Sequence, residues 1–103
     1  MKLLNIDHVP GKELEALGIV KGTVVHTKNV GRDFMAAMKT LVGGELVGYT
    51  QMLNEARQIA IKRMEDEAEE MGADAVINIR YGTSSVMSGA AEVIAYGTAV
   101  KIL

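Results

Sequence analysis

Residues 50–81, TQMLNEARQIAIKRMEDEAEEMGADAVINIRY, change period partway along. Over residues 50–71 the apolar positions Leu53, Ala56, Ala60, Met64, Ala68 and Met71 recur every three or four residues, with Glu55, Gln58, Lys62, Asp66 and Glu69 opposite. That spacing predicts an amphipathic helix. Gly72 is its natural end, because glycine readily takes the left-handed conformation that closes a helix. Over residues 75–81 the period falls to two: Ala75, Ile77, Ile79 and Tyr81 alternate with Val76, Asn78 and Arg80, as in a strand.

Downstream, residues 92–102 alternate Ile94, Tyr96, Thr98, Val100 and Ile102 against Val93, Ala95, Gly97 and Ala99. The two strands predict an antiparallel hairpin, joined by residues 82–90, whose Gly/Ser/Thr content suggests a mobile loop. Upstream, Asp33 is a plausible N-cap for a first helix with Phe34, Met35, Met38, Leu41 and Val42 at helical spacing, stopped by Gly43 and Gly44. Before it, residues 19–28 form a long strand in which Val20, Gly22, Val24 and His26 share one face and Ile19, Lys21, Thr23, Val25 and Thr27 the other. Gly22 in mid-strand signals a bulge or a close backbone approach. Residues 3–6 give a short strand, turned at Pro10 and Gly11. The expectation is an α+β fold, one domain over residues 1–103, with two helices packed on one face of an antiparallel sheet.

These strands carry apolar residues on both faces, and helices on one side cover only one of them. The second face is expected to meet another subunit, since large exposed apolar patches are rare on monomers. The alternative is a two-layer monomer with an unusually apolar exposed sheet.

A chain of 103 residues supports one core. With 49% hydrophobic residues but 4% aromatics, that core is built from aliphatic side chains and methionine. The absence of cysteine removes disulfides and thiolate ligands, which suits a reducing compartment such as the cytoplasm. No stretch has the roughly 20 apolar residues needed to span a bilayer, and residues 1–8 lack a secretory apolar core. Eleven basic residues scattered among thirteen acidic ones give a net charge of −2, which argues against a nucleic-acid partner.

Candidate chemistry is sparse. Asp7 and His8 sit together in a loop and His26 near a strand end; imidazole binds divalent metals, although such histidines are commonly just solvated. Met35 and Met38, one helical turn apart, present thioethers that favour Cu(I) but also lie on the first helix's apolar stripe, where methionine fills core gaps. Glu65, Asp66, Glu67, Glu69 and Glu70 crowd the end of the long helix, where negative charge opposes the macrodipole. A cation, basic residues of a neighbouring subunit, or solvent would offset it. No phosphate loop, nucleophile elbow or HExxH motif occurs, so an enzyme ranks behind the other readings.

Residues Asn29-Val30-Gly31-Arg32-Asp33-Phe34, Leu41-Val42-Gly43-Gly44-Glu45 with Tyr49, Glu55-Ala56-Arg57 running through Ala60 to Gly72-Ala73-Asp74-Ala75-Val76, and Tyr96-Gly97-Thr98-Ala99-Val100 together resemble the YbjQ-like family. This family carries a heavy-metal-binding label. The resemblance implies an α+β fold assembled as a ring-shaped homo-oligomer, a pentamer, with strands of adjacent subunits packed together, and it raises a divalent metal ion as a possible ligand. Arg32, Asp33, Tyr49 and Arg57 match the family's polar positions and become ligand-binding candidates, because guanidinium groups grip carboxylate or phosphate bidentately. Gly43, Gly44, Gly72, Asp74 and Gly97 match positions with structural roles. Two readings follow: a homo-oligomeric module for a metal or small ligand, or a structural or protein-interaction ring without one.

Overall fold

The computed structural model describes residues 1–27, 41–42, 45–87 and 90–103, with backbone alone for residues 26–27, 41–42, 45–49 and 86. The elements are β1 (Lys2–Leu3), β2 (Leu14–Thr27), β3 (Leu41–Val42), β4 (Glu45–Leu46), α1 (Val47–Glu70), β5 (Ala75–Met87) and β6 (Ala90–Ile102). A four-stranded sheet runs in the order β1-β5-β6-β2, and β3 pairs with β4 as a separate ribbon. The fold is α+β.

The sheet is mixed. β6 pairs antiparallel with both β2 and β5, but β1 lies parallel to β5, with Lys2 opposite Ala75 and Leu3 opposite Val76. The expected purely antiparallel sheet is corrected in this respect. The reason is topological: the chain returns from β1 by way of β2 and α1, and β5 enters the edge beside β1 in the same direction.

One helix is described. The first helix expected from Asp33 onward lies outside the described residues except at Leu41 and Val42, which form β3 instead. Gly43 and Gly44 therefore fall in sequence between two paired strands.

α1 lays Met52, Ala56, Ala60, Met64 and Ala68 against the sheet, and all five are buried. Three of them are alanines, which lets the helix backbone come close. Gly22 meets it there: a Cβ at Gly22 would fall on the Ala60 carbonyl oxygen and 2.5 Å from the Met64 nitrogen. The close-approach reading of Gly22 holds, and the bulge in β2 sits elsewhere, between Ala16 and Gly18. The core of this layer adds Val20, Val24, Val76, Ile79, Val93, Ala95 and Ala99 from the three long strands.

The helix closes as Gly72 takes φ +79°. Ala73 N–H donates to Ala68 O at 3.0 Å and Gly72 N–H to Glu69 O at 3.0 Å, the paired bonds of a left-handed cap. Lys101 places its ammonium 2.9 Å from Gly72 O, supplying positive charge where the acidic run opposes the macrodipole. Lys62 also pairs with Asp66 at 2.7 Å. Met71, assigned to the apolar stripe, lies past the helix end and is 40% exposed.

β5 continues through Met87, so most of the stretch expected as a mobile loop is strand paired with β6. Its register against β6 shifts twice, between Ile77 and Arg80 and again between Ser85 and Met87. Asn78 adopts φ 54°, and the register slips between Ile77 and Arg80, so two residues of β5 face one of β6.

The far side of the sheet divides in two. At one end Val9, Ala75, Ile77 and Val100 form a second small core, covered by the segment between β1 and β2. At the other, Ile19 is 79% exposed, Val25 51% and Tyr96 42%. Register places Ile19 beside Thr98, Lys21 beside Tyr96, and Val25 beside Glu92, on one continuous face.

Candidate functional site

Where β1 ends, no described strand covers the edge of β5 beside α1, and a groove opens there among the described residues. One part is lined by Leu3, Leu4, Asn5, Ile61, Ile79, Arg80 and Tyr81. The adjoining part, of about 400 Å³, is lined by Asn54, Arg57, Gln58, Ile61 and Tyr81. Ile61 and Tyr81 belong to both, so the two adjoin between the helix and the sheet edge.

The groove is built by local geometry. Asn54, Arg57, Gln58 and Ile61 fall within two turns of α1 on the side facing β5, as i, i+3, i+4 and i+7 positions do. The β5 bulge sets Arg80 at the rim. From there its Nη1 donates to Asn5 O and to Ile79 O, each at 3.0 Å. Arg57 Nη1 donates to Asn54 Oδ1 at 3.0 Å. Both guanidinium groups are thus oriented by neutral oxygens, and among the described residues neither has a carboxylate partner. Arg80 borders one of two adjoining pockets and Arg57 the other, with the Tyr81 phenol common to both. That arrangement suits an anionic group, which either guanidinium can grip with its remaining donors.

Of the residues proposed from sequence to bind a ligand, Arg57 lines this groove. Tyr49 lies in the first turn of α1, about 12 Å along the axis from Arg57, and its side chain is outside the described residues, as are Arg32 and Asp33 entirely. Arg80, Tyr81 and Asn54 were not singled out. Arg80 and Tyr81 are legible in sequence only as alternating strand positions, and nothing local says that the strand's edge is bare there. Asn54, three residues before Arg57, was the accessible signal.

The histidines do not join the groove. His8 Nδ1 lies 2.8 Å from Asp7 Oδ1 in an exposed pair, and the His26 side chain is outside the described residues. The hydrogen bond and charge of His8 hold the Asp7 carboxyl below its ordinary value. Stability from this pair is present above the ordinary carboxylate range and is lost only as pH falls through the lowered Asp7 value. The pair is fully exposed, so Asp7→Asn is expected to leave the thermal midpoint unchanged between about pH 5 and pH 9, checked by melts across that range.

Gly97 and Asp74 hold the sheet. A Cβ at Gly97 would stand 2.8 Å from Ile77 O and 2.8 Å from Val76 Cγ1. Asp74 Oδ2 accepts the Ile102 N–H at 2.8 Å, tying the end of β6 to the start of β5.

Among the described residues the fold is thus an α+β sheet carrying one long helix, with arginine-bordered pockets at its edge. The chain belongs to the YbjQ-like family: the family model described as "Putative heavy-metal-binding" matches residues 1–103. A UPF0145 protein of Clostridium novyi is 62% identical over 103 residues, covering 100% of both chains. Another from Thermotoga maritima is 58% identical, covering 99% of this chain and 97% of its own. The fold is similar to a crystal structure of a protein of unknown function of the DUF74 family from Pediococcus pentosaceus, with a TM-score of 0.68 at 16% identity, over 100% of this chain and 98% of that one.

The family description raises a metal, and the described residues do not fit one. No three His, Cys, Asp or Glu side chains come together among them. The sequence has no cysteine for a soft cation, and Asp7 and His8 are engaged with each other on the open surface. No helix among the described residues is long and apolar enough to cross a membrane.

Proposed function

We propose that this protein is a homo-oligomeric binding module whose ligand carries an anionic group seated in the groove between α1 and β5. The observation that carries the reading is the placement of Arg57 and Arg80 on adjoining pockets with no carboxylate partner for either among the described residues. A scaffold whose arginines served only to brace the chain would pair them with acids, which the chain has in excess. Tyr81 and Ile61 supply apolar contact for the rest of the ligand.

The oligomer rests on the exposed half of the sheet's far face. Ile19, Val25 and Tyr96, with Ile94 and Thr98 half-buried between them, form an aliphatic and aromatic surface of the kind that subunit interfaces bury. A ring of five, as the family resemblance implies, is the assembly we favour.

The groove is tested by calorimetric titration with glutarate and with inorganic phosphate. Wild-type protein is expected to bind at least one of them saturably, and Arg57→Ala to weaken that binding about ten-fold, equal to about 1.4 kcal/mol. Failure of both anions to bind, or binding that Arg57→Ala does not change, would remove the groove as the site.

A further inference from the structure

We propose that Asn54 and Arg57, one turn apart on α1, together seat the carboxylate of a small organic monoacid whose apolar body lies between Ile61 and Tyr81. This rests on the anion-binding reading of the groove, and it names both the class of ligand and a second residue that holds it.

The spacing of α1 leaves Arg57 without an acid. On a helix surface the neighbours of a residue stand three and four positions away, and for Arg57 these are Leu53, Asn54, Ala60 and Ile61. Lys62 on the same helix is served differently, with Asp66 four residues on at 2.7 Å. Arg63 braces the helix on the sheet by donating to Thr23 O. Arg57 does neither: its Nη1 donates to Asn54 Oδ1 at 3.0 Å, within its own helix. That bond also orients the amide. A guanidinium has donors only, so the Asn54 oxygen faces Arg57 and the amide N–H groups are turned away from it. The remaining guanidinium donors and the amide N–H groups are thus left for a ligand, side by side. A carboxylate answers such a pair, with one oxygen accepting from each.

The pocket selects by charge and by body. It holds about 400 Å³, at the small end of ligand sites, and Arg57 is the one cation among the residues that line it. Arg80 stands opposite Tyr96 on the face of the sheet turned away from α1 and borders the adjoining pocket, so the seat is built without it. Asn54, Gln58 and Tyr81 are neutral. One guanidinium matches one carboxylate, whereas phosphate near neutral pH carries close to two charges and would leave part of its charge unmatched. Ile61 and the Tyr81 ring supply the rest of the wall; Tyr81 stands opposite Ala95, on the helix side of the sheet. Apolar and aromatic surface beside a single charge suits an acid with a hydrocarbon or aromatic body.

The test is calorimetric titration of the intact protein with benzoate, with the neutral benzamide and with inorganic phosphate. Wild type is expected to bind benzoate saturably, and benzamide and phosphate each at least ten-fold more weakly. Asn54→Asp gives Arg57 a carboxylate of its own and is expected to abolish measurable benzoate binding. Asn54→Leu keeps the size, removes the amide and is expected to weaken benzoate about ten-fold. Asn54 is exposed, so both variants are expected to keep the wild-type melting midpoint and subunit number. Benzoate bound no better than benzamide, or no better than phosphate, would overturn the monoacid seat. Benzoate binding that Arg57→Ala removes and neither Asn54 variant changes would overturn the role of Asn54. Arg57-dependent binding of glutarate or phosphate without benzoate would sink this proposal and leave the groove standing; loss of all three would sink both.

Discussion

Replacing Gly22 with alanine is expected to cost about 3 kcal/mol or more, and with valine to leave no folded protein, as read by urea denaturation followed by circular dichroism. Most glycine-to-alanine changes are mild or even stabilising, because alanine restricts the unfolded chain. Here the new methyl meets backbone. It overlaps the Ala60 carbonyl oxygen, lies 2.5 Å from Met64 N and 2.9 Å from Arg63 Cβ, and none of these is the end of a flexible side chain. The helix has to move away as a unit. Doing so loosens Ala56, Ala60 and Met64 from the sheet together, and Arg63 Nη1 from Thr23 O at 2.6 Å. Overpacking of a tight core ordinarily costs about 1–3 kcal/mol, and a clash with helix backbone belongs at the upper end. For a domain of this size that is a fall of roughly 12 °C or more in the thermal midpoint. A Gly22→Ala protein as stable as the wild type would show that the helix does not sit on β2 as described.

Replacing Ile19 with aspartate is expected to break the oligomer into folded monomers, seen as a smaller species by light scattering with an unchanged far-ultraviolet spectrum. Ile19 makes little use of its own subunit's core, being 79% exposed, so the substitution removes almost no intrachain packing. In an interface the same position would bury a carboxylate beside Thr98 and Tyr96, with Lys21, two residues away on the same face, as the nearest basic residue along the strand. Desolvating that charge without a well-placed partner costs several kcal/mol, repeated at every interface of a ring. Tyr96→Asp on the neighbouring strand is expected to act in the same way. Persistence of the assembly in both variants would place the subunit contacts elsewhere and leave this face without a partner.

Much of the fold was legible where one period dominates. α1 is long and its stripe of Ala56, Ala60, Met64 and Ala68 has no competing pattern; the observed helix merely starts three residues earlier and stops one before the expected end. Both long hairpin strands were visible as alternation, but the end of β5 was not. Gly82, Thr83, Ser84 and Ser85 have the composition of a loop, and they become strand because β6 offers partners residue by residue, a tertiary effect that local propensity does not carry. The start of β2 was hidden for another reason: the bulge between Ala16 and Gly18 breaks its alternation. The parallel pairing of β1 was beyond reach, since two residues carry no pattern of direction.

The site was less legible than the fold. Arg57 was reached through the family resemblance, and its companions Arg80 and Tyr81 were not, because the feature that unites them is the early end of β1 on the strand beside them. Which residues share a groove depends on where an edge is left open, and that is a property of pairing between segments more than seventy residues apart in sequence.

Native mass spectrometry of untagged wild-type protein, purified without added anions, tests the central claim most directly, because one spectrum reports both stoichiometry and retained mass. The account predicts a single closed oligomer, five subunits in the assembly we favour, that takes up glutarate or phosphate to at most one per subunit and loses that uptake in Arg57→Ala. A monomer, or an oligomer that binds neither anion, would contradict it.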